Sequence, residues 1–161
     1  MSNDSPITDD RDPAQVVEDA VAYALRLAET WPAWDGQPCE AGDRVCTPHK
    51  AIRRLADHLL DHLAELEARL AGQPPLPDRW HASAVTTPAD LAPFTPEDLD
   101  EARSRLTRLA QIWSLRLRAL DDERLDRVEA GAWTLRQLAF HVGDTFYADA
   151  VGNLATQPKP E

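Results

Sequence analysis

Four stretches of this chain open on a small polar residue and then place apolar side chains at three- and four-residue intervals. That combination leaves little room for anything but helices, because it supplies both the starting cap and a stripe to bury. The first runs from Asp12-Pro13 through Val16, Val17, Ala20, Val21, Ala24, Leu27 and Ala28 to about Trp31, with Gln15 three residues after the cap. Proline at a first helical position wastes no hydrogen bond, since that N–H is orphaned in any case. The second starts at Thr47-Pro48, carries Ile52, Leu55, Leu59, Leu63, Leu66 and Leu70, and stops near Gly72. The third starts at Thr95-Pro96, with Glu97 and Asp98 in its electropositive first turn, and its stripe is Leu99, Ala102, Leu106, Leu109, Trp113, Leu117 and Leu120. The fourth starts at Thr134, where Gln137 completes a capping box, and is predicted to continue through Leu138, Val142 and Phe146 to Gly152.

Between these stretches the sequence reads as connections rather than strands. Residues 32–46 hold Pro32, Gly36, Pro38 and Gly42; residues 71–95 hold Pro74, Pro75, Pro77, Pro88 and Pro93, too proline-rich for helix and without two-residue alternation. The expectation is an all-α fold: a four-helix bundle spanning residues 12–152, with a long proline-rich crossover between helices 2 and 3 that reaches across one end. Residues 1–11, with Asp4, Asp9, Asp10 and Asp12 close by, and residues 153–161 read as disordered tails.

Charge narrows the partners. The chain carries 17 Lys+Arg against 28 Asp+Glu, a net −11, with no clustered cationic footprint. Nucleic-acid and anionic-membrane partners are therefore not expected. No apolar stretch approaches the roughly 18–20 residues of a membrane span. Met1 to Asp12 has neither a basic n-region nor an apolar h-region, so a cytoplasmic location is expected. The basic residues other than Lys50 and Lys159 are all arginine, a bias associated with GC-rich bacterial coding.

One internal echo concerns chemistry. Arg53-Arg54-Leu55-Ala56-Asp57-His58-Leu59-Leu60-Asp61 and Arg136-Gln137-Leu138-Ala139-Phe140-His141-Val142-Gly143-Asp144 share R-x-L-A-x-H-x-x-D, 83 residues apart. If helices 2 and 4 are counterparts, His58 and His141 sit at matched depths. His58 and His62 project from one face of a helix, one turn apart. Two imidazoles from one helix and a third from another make the ligand count of a catalytic divalent site, with the remaining positions left to water or substrate. Neutral imidazole suits Zn, Ni, Cu or Fe alike. The competing reading is three half-buried histidines hydrogen-bonded to Asp57, Asp61 or Asp144.

The segments Thr47 to His58 and Trp133 to Val142, through their L-A-x-H and W-T-x-R-Q-L-x-x-H elements, resemble the DinB-like superfamily over about Pro13 to Gly152. The resemblance implies a four-helix bundle and, for members such as bacterial thiol S-transferases and mycothiol-dependent maleylpyruvate isomerases, a divalent metal. That metal is bound by one histidine of helix 2 and a His-x3-His or Glu-x3-His pair of helix 4. Carried over, it implies His58 and His141 as ligands, but Thr145 stands four residues after His141. His62 restores a three-histidine set; Asp149 is a weaker substitute.

The function expected from this reading is a metal-dependent enzyme resembling low-molecular-weight-thiol S-transferases, with a metal-activated thiolate or water as nucleophile. Mycothiol is the first co-substrate to consider, and a small molecule is the substrate. Thr145, Asp149, Trp80 and His81 are the expected substrate contacts, Trp80-His81 packing over the bundle mouth or serving as a loop anchor. The alternatives are a non-catalytic metal- or small-molecule-binding bundle and a metal-free homodimer, with Tyr147 facing the partner. Cys39, Cys46 and His49 spell C-x6-C-x2-H, which fits no standard zinc spacing. They read better as a free-thiol loop, with Cys46 mildly activated by the helix start beside it. Trp31, Trp34, Trp113 and Trp133 read as core or end-packing aromatics.

Overall fold

The caps read from the sequence form. The structure, a computed structural model, describes residues 5–156. In α1 (Pro13–Ala28) the Asp12 carboxylate accepts from the Ala14 N–H; in α2 (Pro48–Leu70) the Thr47 hydroxyl accepts from the Lys50 N–H. Helix α3 (Pro96–Arg118) starts on a Thr95–Asp98 capping box and α5 (Leu135–Val142) on a Thr134–Gln137 box. A short α4 (Asp122–Leu125) precedes α5, and α6 (Phe146–Val151) follows it. Each cap satisfies an otherwise orphaned donor, worth about 1 kcal/mol. The fold is mostly helical, and no helix among the described residues is long and apolar enough to cross a membrane.

The stripes meet in one core. Helix α1 packs chiefly on α3 and also on α5; α2 packs on α3, α5 and α6. Trp31 and Trp113 are fully buried, and each indole N–H is anchored to a backbone carbonyl, Gly152 at 2.8 Å and Leu59 at 2.9 Å. These bonds give the two largest core side chains a fixed orientation as well as burial.

Three expectations change. The fourth helix is not continuous: it stops at Val142 and restarts at Phe146. The Asp144 N–H bonds back to the His141 carbonyl, and the Asp144 carboxylate takes the Phe146 N–H at 2.6 Å. Gly-Asp-Thr at 143–145 has weak helix propensity and offers local side-chain acceptors, which end the ladder. Residues 39–46, expected as connection, form a hairpin of β1 (Cys39–Ala41) and β2 (Arg44–Cys46), turned at Gly42 with φ of 65°. Three-residue strands show no readable alternation. The tail from 153 is docked at its start, where Leu154 is buried and its N–H reaches the Thr30 hydroxyl at 3.0 Å. At the other end Arg11 lies over the Phe140 ring. The remaining tail positions, 1–4 and 157–161, lie outside the described residues.

The crossover does not bridge open space. It runs back along the first half of α2, pinned where Arg53 donates to the buried Asp90 carboxylate at 2.7 and 3.0 Å and the Thr47 hydroxyl donates to the Asp90 carbonyl. Asp90 itself closes a capping box with Thr87.

At the break, α5 approaches α1 so closely that a Cβ on Gly143 would stand 2.5 Å from Val16 Cγ1. Gly143→Ala is expected to cost about 1–3 kcal/mol in urea unfolding. Combined with Val16→Ala it should cost less than the sum of the two single changes. Strict additivity would show that this contact does not limit the approach.

Candidate metal centre

Helix α2 carries His58 and His62 one turn apart, and α5 brings His141 against them. The three rings pack edge to face, with centroid separations of 4.8, 4.7 and 4.9 Å. Two indoles flank them: Trp80 lies 4.8 Å from the His62 ring and Trp133 lies 4.6 Å from the His141 ring. One ring nitrogen from each histidine falls within 4.8 Å of the others. Their matched depth, expected from the echo, appears directly as a 2.9 Å contact between His58 Nε2 and His141 Nε2.

The proton positions follow from the neighbours. His62 Nδ1 lies 2.9 Å from Glu65 Oε2. Burial raises the Glu65 pKa, but the His62 hydrogen bond and the charges of His62 and Arg69 outweigh it and hold the group below its usual value. Glu65 is thus a carboxylate that only accepts, so His62 Nδ1 carries a proton, an arrangement that in the neutral ring leaves the lone pair on Nε2. That Nε2 is buried with no hydrogen-bond partner among the described residues, on a residue only 4 % exposed. A bare buried acceptor costs free energy unless something fills it. Burial first, then the neighbouring His62 and His141, push His58 down to about 3. Burial and His62 push His141 to about 4, against the opposing pull of Asp144 and Glu65. At neutral pH both rings are uncharged, the form in which imidazole ligates a metal.

The donor set therefore fits a divalent cation: neutral imidazoles, a lone pair without a partner, and a carboxylate fixing the tautomer of one ring from behind. None of the three rings bonds to Asp57, Asp61 or Asp144. Asp57 faces Arg54, Asp61 accepts the Trp80 indole N–H, and Asp144 takes the Phe146 N–H.

The other expected site residues divide. Trp80 belongs to the cluster. His81 is exposed, with its carbonyl taken by the Ala84 and Val85 N–H groups. Thr145 and Asp149 bond each other at 2.7 Å, and the Tyr23 hydroxyl on α1 reaches Asp149 at 2.5 Å. The helix break breaks the spacing that would have set them beneath His141. Tyr147, expected to face outward, is half-buried, its hydroxyl 2.7 Å from Ser83 Oγ. Cys39 and Cys46 pair across the hairpin as free thiols. Burial raises both pKa values, in Cys46 against the pull of Lys50, so the expected activation by the helix start is absent. His49 instead sits 2.9 Å from the Pro93 carbonyl, and these three residues do not form a ligand group. Glu65 and Trp133 are the contributors that sequence reasoning missed. Glu65 had a signal, since it stands three residues after His62 on the same face.

Because the folded values of His58 and His141 lie below the free imidazole value of 6.5, the unfolded chain binds protons first as pH falls. Metal-free protein should therefore keep its stability above about pH 6.5 and lose it toward pH 4. Melting temperatures between about pH 7 and 5 should fall less steeply for His58→Gln than for the wild type; equal slopes would remove His58 from the explanation. Comparison of the chain with protein-family models, curated proteins and solved structures finds no match.

Proposed function

We propose that this chain is a divalent-metal-dependent enzyme of the low-molecular-weight-thiol S-transferase type, acting on a small molecule in the cytoplasm. In this reading α1, α2, α3 and the broken α5–α6 unit form a DinB-like four-helix bundle, and His58, His62 and His141 hold zinc, nickel or a similar ion. The observation that carries the proposal is the buried, partnerless Nε2 of His62 beside two neutral imidazoles. An ion held there would supply a Lewis acid that lowers the pKa of a bound thiol, mycothiol being the first to test, or of water.

The chain's own residues prepare that chemistry. Glu65 accepts from His62 Nδ1, and that hydrogen bond, with Arg69 3.6 Å from the other Glu65 oxygen, holds the Glu65 pKa below its usual value. The indoles of Trp80 and Trp133 pack against two of the three rings, putting apolar surface beside them. The direct His58–His141 contact favours a second reading, a metal-free structural cluster. That reading leaves His62 Nε2 unexplained.

Chelator-free, untagged protein is expected to contain about one equivalent of a first-row divalent metal by elemental analysis. His58→Ala, His62→Ala and His141→Ala should each lose it while retaining helical circular dichroism. Glu65→Gln should weaken metal affinity about 10–100-fold, and Thr145→Ala should leave it unchanged. No metal in the wild type, even after incubation with excess, defeats the proposal. Thiol-transfer and hydrolysis assays on loaded protein then separate thiolate from water as nucleophile.

A further inference from the structure

The face of α2 that carries the histidines continues toward the helix start as two buried cations. Lys50 and Arg54, eight and four residues before His58, are 2 % and 3 % exposed. Lys50 is one of only two lysines in the chain. Among the described residues its ammonium has a single hydrogen-bond partner, the neutral Thr86 hydroxyl at 3.0 Å, and no carboxylate lies within ion-pair distance. The nearby Asp90 carboxylate is engaged by Arg53 and the Thr87 N–H.

This placement is unfavourable on three counts. The charge is buried, it lacks a counter-ion, and it sits in the first turn of a helix, the positive end of the dipole, where α2 has no acidic residue. Arg54 is only partly compensated. Its Nε donates to Ser83 Oγ at 3.0 Å, its guanidinium lies over the Tyr147 ring, and its one carboxylate contact among the described residues is the half-exposed Asp57 at 3.3 Å.

The covering groups are hydroxyls from one short stretch of the crossover. Ser83 sits on Arg54 and Thr86 on Lys50, so two neutral oxygens three residues apart stand against two cations four residues apart. Backbone hydrogen bonds from residues 83–86 to the rest of the fold come down to the Val85 carbonyl accepting from Arg53; the Ala84 and Val85 N–H groups turn locally to His81. Such a cover exchanges readily for an oxyanion, which brings the missing negative charge as well as acceptors.

We propose that Lys50 and Arg54 form an anion subsite that takes the carboxylate of a small organic acid in place of the Ser83 and Thr86 hydroxyls. A carboxylate matches the fork of Arg54 with its two oxygens and leaves a further lone pair on one of them for Lys50. That this acid is the substrate of the histidine centre rests on the functional reading above. At about 1.5 Å rise per residue, Arg54 lies about 6 Å and Lys50 about 12 Å along α2 from His58. A carboxylate anchored there presents carbons a few bonds away to the histidines. The Arg54 charge is already felt at His58, where it disfavours the imidazolium.

The test is calorimetric titration of the full chain, stripped of divalent ions on a chelating resin, with succinate, its neutral analogue succinamide and inorganic phosphate at constant ionic strength. Succinate should bind saturably and succinamide should not. Lys50→Met and Arg54→Gln should each weaken succinate at least tenfold, and Arg105→Gln, at an exposed position of α3, should not. Lys50→Met should also melt above the wild type, because it removes an uncompensated buried charge. A Lys50 satisfied by Thr86 alone predicts a lower melting temperature. Absent succinate binding, binding equal in all variants, or phosphate binding without succinate would overturn the proposal. His58→Ala, which should lose metal, should retain succinate binding, so failure of the metal reading leaves this outcome separately readable.

Discussion

The histidine cluster depends on one buried guanidinium. Arg69, in the last turn of α2, donates to the Trp133 carbonyl at 2.7 Å and to Glu129 at 3.1 Å, while its Nη1 lies near Glu65. Arg124 reinforces the same corner, donating to Glu129 and to the Arg69 carbonyl. Trp133 immediately precedes the cap of α5, so this corner sets where α5 begins relative to α2. Two helical turns later it is His141 that arrives beside His58 and His62. The same Arg69 helps keep Glu65 ionised, and Glu65 holds the His62 tautomer. One side chain thus contacts both the residue that precedes the cap of α5 and the carboxylate behind the His62 ring.

The echo shared by α2 and α5 has a physical counterpart in what its residues do. Each leading arginine clamps the connection before or beside its helix: Arg53 grips Asp90, and Arg136 grips Asp122 and Asp126. The leucine and alanine that follow turn into the core. Each histidine then reaches the cluster. Only the closing aspartates diverge, Asp61 accepting from Trp80 and Asp144 capping the restart at Phe146. That divergence coincides with the helix break, and it separates an uninterrupted 23-residue α2 from an 8-residue α5.

Helix α2 is costly to build. Lys50, Arg54, His62 and Arg69 are all buried on it alongside its leucines. Burying so much polarity on a single helix opposes folding, and such local conflicts with the folding rules concentrate at functional sites. Its leucine stripe and the two anchored tryptophans supply the offsetting apolar burial, leaving the polar face free to serve the candidate site.

By itself the sequence determined where α1, α2, α3 and α5 start, because a cap and a stripe are written within four residues of one another; the short α4 and the restart at α6 were not legible in it. It also determined that His58 and His62 share a face, and the repeated motif marked His141 as their counterpart. The hairpin escaped notice because three-residue strands carry too little alternation. Tertiary packing decided what local spacing cannot carry. The break at Gly143 put Thr145 and Asp149 with Tyr23 rather than with His141. The crossover folded back to cover Lys50 and Arg54, turning ordinary cations into buried ones. Convergence of three rings, and the bare nitrogen among them, depend on how elements 83 residues apart dock. Docking is set by the summed packing of many distant side chains, whereas a helix start is set by a few neighbouring hydrogen bonds.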